Sequence, residues 1–325
     1  ARVPQHIWVP PSLGGAGIQA AINALASTGG VIHLAGTYKE ITQEIVLPGG
    51  ASLPITLQGS GRETATKLHW PYDLGSGKWA IRRADATNWN RHVIADVHLV
   101  GPNPTAALGS DPAAMNGVQL SGRMVLNGVK VQGFHGGVVP WTDHVTLNDC
   151  FLNQNKYGLL YQAGQPTNGN IRLWNCDLSG QTYASIGVES GATCAVDLYG
   201  THLGYSPYGI FGEGTTTGDL SIRMTGDSII EEVGNAAIFG PAAGHAFDCV
   251  INGLATFNAG YSIGGGKELG MFLWGYWTEN TFDFTKKLGL PAASPGTASL
   301  VYATHVSSAS DDNIFWVSNA TWNML

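Results

Sequence analysis

Charge is scarce in this chain of 325 residues: only 12% of positions are Asp, Glu, Lys or Arg. The 16 Lys and Arg are outnumbered by 23 Asp and Glu, the net charge is −7, and no basic run occurs. Phosphate binding needs clustered cations, so nucleic acid is not expected as a partner. No apolar run reaches about 18 residues, so no membrane insertion is expected. The opening ARVPQHIWVPP has neither a charged n-region nor an apolar h-region, and it reads as lacking a signal peptide. Cysteine is rare as well. Cys150, Cys176, Cys194 and Cys249 form neither a disulfide framework nor a CxxC pair, and they are expected to be buried apolar residues. No cofactor or metal is expected: His98 and His144 each stand alone in metal-ligand spacing, and the Gly264–Gly266 run before Lys267 lacks a phosphate-loop context.

What the chain has in abundance is glycine, 45 residues, against an apolar content of 44%. That combination implies many tight turns between short strands rather than exposed helices. The length would suggest two compact domains, but a solenoid escapes that limit because each coil needs only its neighbours.

Four segments align without gaps: HVTLNDCFLNQ from His144, NIRLWNCDLSG from Asn170, AVDLYGTHLGY from Ala195 and SIRMTGDSIIE from Ser221. Their inward anchors are Leu147, Leu173, Leu198 and Met224, with steps of 26, 25 and 26 residues, and a second column, Leu152, Leu178, Leu203 and Ile229, keeps the same steps. Between them runs a turn column of Asp149, Asn175, Gly200 and Gly226, residue types that tolerate left-handed backbone. Another short strand recurs from Tyr157, Ala184, Tyr208 and Ala236, and less regular coils begin at Val93 and Met124. A period near 25 without helical patterning excludes βαβ units, propeller blades and leucine-rich repeats. The fold class expected is all-β: a right-handed parallel β-helix. Apolar Ile18, Ile22 and Leu25 followed by Gly29 and Gly30 mark one amphipathic α-helix that caps the open end of the core. Residues 1–36 form the N-terminal segment with this capping helix, 37–262 the β-helix body, and 263–325 a Trp-rich C-terminal cap or subunit contact.

The stretch IQAAINALASTGGVIHLAGTY, from Ile18 to Tyr38, resembles the opening of the pectate-lyase-like parallel β-helix superfamily, to which phage tailspikes and polysaccharide depolymerases belong. The resemblance extends through the repeat to about residue 260. It implies a polysaccharide substrate, an extracellular or virion location and, for the tailspike type, a homotrimer. The Gly-Asp and paired-Asp stretch that commonly precedes the helix is replaced here by PPSLGGAG, and no calcium motif or catalytic residue of the family carries over.

In such a stack, equivalent residues of successive coils lie about 4.8 Å apart. The alignment sets Glu189 beside Glu213, and a close carboxylate pair suits a retaining glycosidase; the alternative is two solvated glutamates at a turn. Glu231 and Glu232 are further acidic candidates. A second cluster puts Asp177 and His202 at one outward position, a charge column of Arg172, Asp197 and Arg223 beside it, and Trp174 stacked on Tyr199. This reads either as a ladder that relieves charge repulsion or as a carbohydrate surface with an Asp–His pair for proton transfer. A glycoside hydrolase acting within a polysaccharide is the leading expectation; a lyase on a uronic-acid glycan and a non-catalytic carbohydrate-binding module are the alternatives.

Overall fold

The computed structural model describes residues 4–50, 52–62, 65–85, 91–142, 144–164, 170–212, 220–225, 228–231, 233 and 236–239, and from there on the strand segments between 246 and 324. Short strands wind into three parallel sheets, A, B and C, visited in that order by the successive described strands from Gly30 to Phe272. One coil runs through Asn170–Trp174 in sheet A, Asp177–Ser179 in sheet B and Ala184–Val188 in sheet C, and the next through Cys194–Tyr199, His202–Gly204 and Tyr208–Gly212. This is the parallel β-helix that the repeat implies.

The register confirms the first anchor column: Leu147, Leu173, Leu198 and Met224 pair in sequence. All four are fully buried, and Ile32, Leu57, Ile94 and Leu126 extend the column toward the N-terminus. The second column differs in its last member. Leu203 pairs with Ile230, not Ile229, and Ile230 is 2% exposed. Four residues separate Leu198 from Leu203 but five separate Met224 from Ile230, so the step from sheet A to sheet B in that coil is one residue longer.

The turn column is real and longer than the alignment reaches. Asp96, Gly128, Asp149, Asn175 and Gly200 all have φ between 49° and 61°. Their amides point along the stack: the N–H of Asp149 donates to the Trp174 carbonyl and that of Asn175 to the Tyr199 carbonyl, both at 2.9 Å. Left-handed backbone therefore turns each corner without leaving a buried donor unpaired. Gly226 lies outside the described residues. Immediately after Asp149, Asn175 and Gly200, the side chains of Cys150, Cys176 and Thr201 are buried, and the Thr201 N–H donates to the buried Ser228 hydroxyl at 3.2 Å. Cys150, Cys176 and Cys194 are buried free thiols, and the side chain of Cys249 lies outside the described residues.

The helix begins at Gly14, four residues before the first apolar position, and runs to Leu25. Ile18, Ile22 and Leu25 are fully buried against the first coils. The helix also covers a strand edge, because the Gln19 side-chain amide accepts from the Val46 N–H at 2.7 Å and donates to the Val46 carbonyl at 3.0 Å. One side chain thus replaces the neighbouring strand that Ile45–Leu47 lacks. The strand Gln5–Val9, not foreseen in the N-terminal segment, pairs with Gly30–Leu34 as the first strand of sheet A.

His92 ties two early coils together. Its Nδ1 accepts the Ile55 N–H at 3.1 Å and its Nε2 reaches the Pro48 carbonyl at 3.1 Å, which fixes a neutral imidazole. Burial, with the nearby Arg83 charge, lowers its pKa from 6.5 to about 4. In the unfolded chain the same histidine takes up its proton near 6.5, so stability is full above that pH and falls as pH drops toward 4. Between pH 7 and 4.5 this group is expected to remove about 2–3 kcal/mol of unfolding free energy. Urea titrations at the two pH values check it: His92→Gln, which keeps one donor and one acceptor, is expected to flatten that window.

Candidate functional site

Sheet A and sheet B meet at the left-handed turn, and the outward side chains flanking that corner belong to the sequence-nominated cluster. Trp174 and Tyr199 are register partners at the ends of their strands. Their rings stack face to face, with centroids 3.9 Å apart and planes 8° from parallel, and Trp174 is 43% exposed. A two-residue turn that opens with left-handed Asn175 or Gly200 then bends the chain into sheet B.

Beyond the bend, Asp177 pairs in register with His202. Asp177 Oδ1 lies 3.3 Å from His202 Nδ1 and accepts the Ser179 amide at 3.0 Å. Burial alone would raise the Asp177 carboxyl, but the bonds from His202 and Ser179 outweigh it and hold it below its ordinary value. An ionised carboxylate only accepts, so His202 Nδ1 carries the hydrogen toward Asp177, and Nε2 is buried. The Tyr205 ring stands edge-on to the imidazole at 5.9 Å.

On the sheet A side, Arg172, Asp197 and Arg223 pair in successive registers. Asp197 is 7% exposed. It lies 3.9 Å from Arg172 Nε and 3.8 Å from Arg223 Nη1, while both arginine side chains are more than half exposed. Residues two apart on a strand share a face, so Arg172 with Trp174, and Asp197 with Tyr199, point the same way. The structure therefore gathers Arg172, Trp174, Asp177, Asp197, Tyr199, His202 and Arg223 on one corner.

Glu189 is not among them. It follows the sheet C strand Ala184–Val188 at a different corner of the coil, where Oε2 accepts the Ala163 N–H at 3.1 Å and Oε1 lies 3.5 Å from Gln162 Nε2. Those bonds tether the preceding coil's turn. The register runs to Val188 beside Gly212; the next position, Glu213, lies outside the described residues, as do the Glu231 side chain and Glu232.

A second concave feature has no counterpart in the sequence reading. Glu44, Lys78, Trp79, Arg82, Gln119 and Trp141, with Arg83 and Asp85, line a cleft of about 330 Å³ on the early coils of sheet C. Its residues come from coils whose sheet C strands are 36, 37 and 20 residues apart, as Ile45, Ile81, Val118 and Val138. No constant period runs through them, so only the positions of the strand partners could have exposed the site. Among the described residues, no cluster of three or more His, Cys, Asp or Glu could hold a metal ion, and no helix is long and apolar enough to cross a membrane.

No family model and no curated protein matches the sequence. Solved structures do match. The ORF18 protein of Geobacillus virus E2 superposes with a TM-score of 0.55 at 15% identity, over 98% of this chain and 76% of that one. The enzymatically active domain of tailspike protein 2 from bacteriophage CBA120 gives a TM-score of 0.51 at 15% identity, over 86% of this chain and 48% of that one. The full-length tailspike protein 2 of Escherichia coli O157:H7 bacteriophage CAB120 gives 0.53 at 16% identity, over 93% of this chain and 45% of that one. The chain shares the parallel β-helix fold of these phage proteins and spans about half the length of the two tailspike chains.

Proposed function

We propose that this chain is a polysaccharide-degrading enzyme, a glycoside hydrolase that cuts within an extracellular or cell-surface glycan, and that the A–B corner is its active site. The observation that carries the reading is the parallel Trp174–Tyr199 stack, open to solvent and separated along each coil by a two-residue turn from the Asp177–His202 pair. Flat aromatic faces bind the apolar faces of sugar rings. Hydrolysis needs a proton for the leaving oxygen and a carboxylate near the anomeric carbon. His202 supplies the proton transfer, Asp177 holds its tautomer, and Asp197 sets a second carboxylate on the same corner.

The tailspike neighbours, one of them named as an enzymatically active domain, support this reading, together with a virion or extracellular location and a homotrimeric assembly. A second reading is elimination. Arg172 and Arg223 stand exposed on either side of Asp197, where they would neutralise the carboxylate of a uronic acid and stabilise the enolate that elimination requires.

Incubation with bacterial capsular polysaccharides, cell-wall glycans and pectins, read out by product mass, separates the readings. A gain of one water per cut supports hydrolysis. Unsaturated ends without net gain favour the lyase, and binding without cleavage reduces the chain to a carbohydrate-binding module. Trp174→Ala is expected to weaken affinity for the cleaved glycan about tenfold or more, since ring stacking contributes about 1 kcal/mol beyond the area it buries. Isothermal titration at a temperature where cleavage is slow checks it; unchanged affinity would remove the platform from the site.

A further inference from the structure

The geometry points to the sheet C cleft as a second, non-catalytic binding site for a sugar that carries a carboxylate. Its walls combine the two elements such a ligand requires. Trp79 and Trp141 meet edge to face at 6.0 Å and 89°, so buried Trp79 braces the more accessible Trp141 ring as a surface for a pyranose face. Cations border that surface, with Lys78, Arg82 and Arg83 against two carboxylates, Glu44 and Asp85. The local excess is therefore positive in a chain of net charge −7.

The hydrogen bonds show which charges are spoken for. Glu44 is held at both oxygens, by the Trp79 N–H at 3.1 Å and Arg82 Nε at 3.1 Å. Buried Arg83 donates from Nη1 to the Ser121 and Gly122 carbonyls at 3.3 Å, and the Asp85 charge offsets the cost of burying it. Gln119 Oε1 accepts the Arg83 N–H at 3.3 Å. Arg82 is fixed by Glu44 and by an Nη1 bond to the Arg83 carbonyl, so its planar fork is preorganised, and Lys78 has no ion-pair partner among the described residues. A fixed guanidinium and a mobile ammonium beside an aromatic face suit a carboxylate on a sugar ring. The volume lies at the small end of ligand pockets, which run about 300–1,000 Å³, and accommodates a single sugar residue with its substituent. Occupancy here does not require cleavage at the A–B corner. A chain held at both places would gain avidity without new contacts.

The probes are the methyl glycosides of glucuronic and galacturonic acid, with methyl glucoside and methyl galactoside as neutral counterparts, and the readouts are saturation-transfer NMR and tryptophan fluorescence on the intact chain. Uronate binding is expected, at least about tenfold tighter than for the neutral sugars. It is expected to be weakened about tenfold by Lys78→Met and abolished by Trp141→Ala, with binding of the cleaved polysaccharide at the A–B corner retained by a Lys78→Met chain. Equal binding of neutral and charged glycosides, no binding of either uronate, or uronate binding unchanged in both variants would overturn the assignment. Because the readout is direct binding, a chain that cleaves nothing can still support it, and a chain that cleaves normally can still refute it.

Discussion

Asp177→Asn is expected to slow glycan cleavage by about 10²–10⁴-fold, the usual worth of positioned proton transfer, while affinity for the glycan stays within about threefold. The amide is nearly isosteric and can still accept from His202, but its charge is gone. The imidazole loses the carboxylate that fixes its tautomer and stabilises it when protonated. His202→Gln is expected to cost a similar factor. The double variant should be little worse than either single one, because groups that act as a unit are not additive. The pair also titrates in a definite direction. Asp177 is held below its ordinary value of 3.8 by His202 and Ser179, so the stabilisation it supplies is complete above that pH and is lost as pH falls through its lower native value. Steady-state rates for the three variants, with affinity measured separately, decide the matter. A loss of affinity equal to the loss of rate would make the pair a binding element.

Leu198→Ala is expected to destabilise the chain by about 2–5 kcal/mol, the range for opening a cavity at a fully buried leucine. Leu198 is inaccessible to solvent and sits between Leu173 and Met224 in the core column. In a solenoid each coil contacts only its neighbours, so the damage should be local. Hydrogen exchange is expected to accelerate first in the amides of Asn170–Trp174 and Cys194–Tyr199 and to leave Gly30–Leu34 protected. Loss of protection spread evenly from end to end would contradict the one-dimensional picture. Arg172→Ala, one position from this column but facing solvent, is expected to stay within about 0.5 kcal/mol of the parent.

The core was legible in the sequence wherever coils have equal length. Between Leu147 and Met224 the steps are 26, 25 and 26 residues, and period-two burial forces the same residues inward in each coil. That register made Trp174 with Tyr199, Asp177 with His202, and Arg172 with Asp197 and Arg223 readable as neighbours. The second column failed at Ile229 because one added corner residue moves the pairing to Ile230, a shift that single-residue alternation cannot reveal when both candidates are isoleucine. Glu189 follows the sheet C strand that ends at Val188, and its bond to the Ala163 amide depends on a turn that the repeat leaves unspecified. The sheet C cleft stayed hidden because long insertions separate its strands, and Gln19 pairing with Val46 is a contact between a helix and an edge that periodicity does not encode.

The central claim is that glycan binds across the A–B corner. The most direct test is a crystal structure of the Asp177→Asn variant with an oligosaccharide of the cleaved glycan. One sugar ring is expected flat on the Trp174–Tyr199 stack, with a glycosidic oxygen within hydrogen-bond reach of the His202 imidazole. An oligosaccharide lying instead over Glu189 on the far corner, with the Trp174 face empty, would contradict the account.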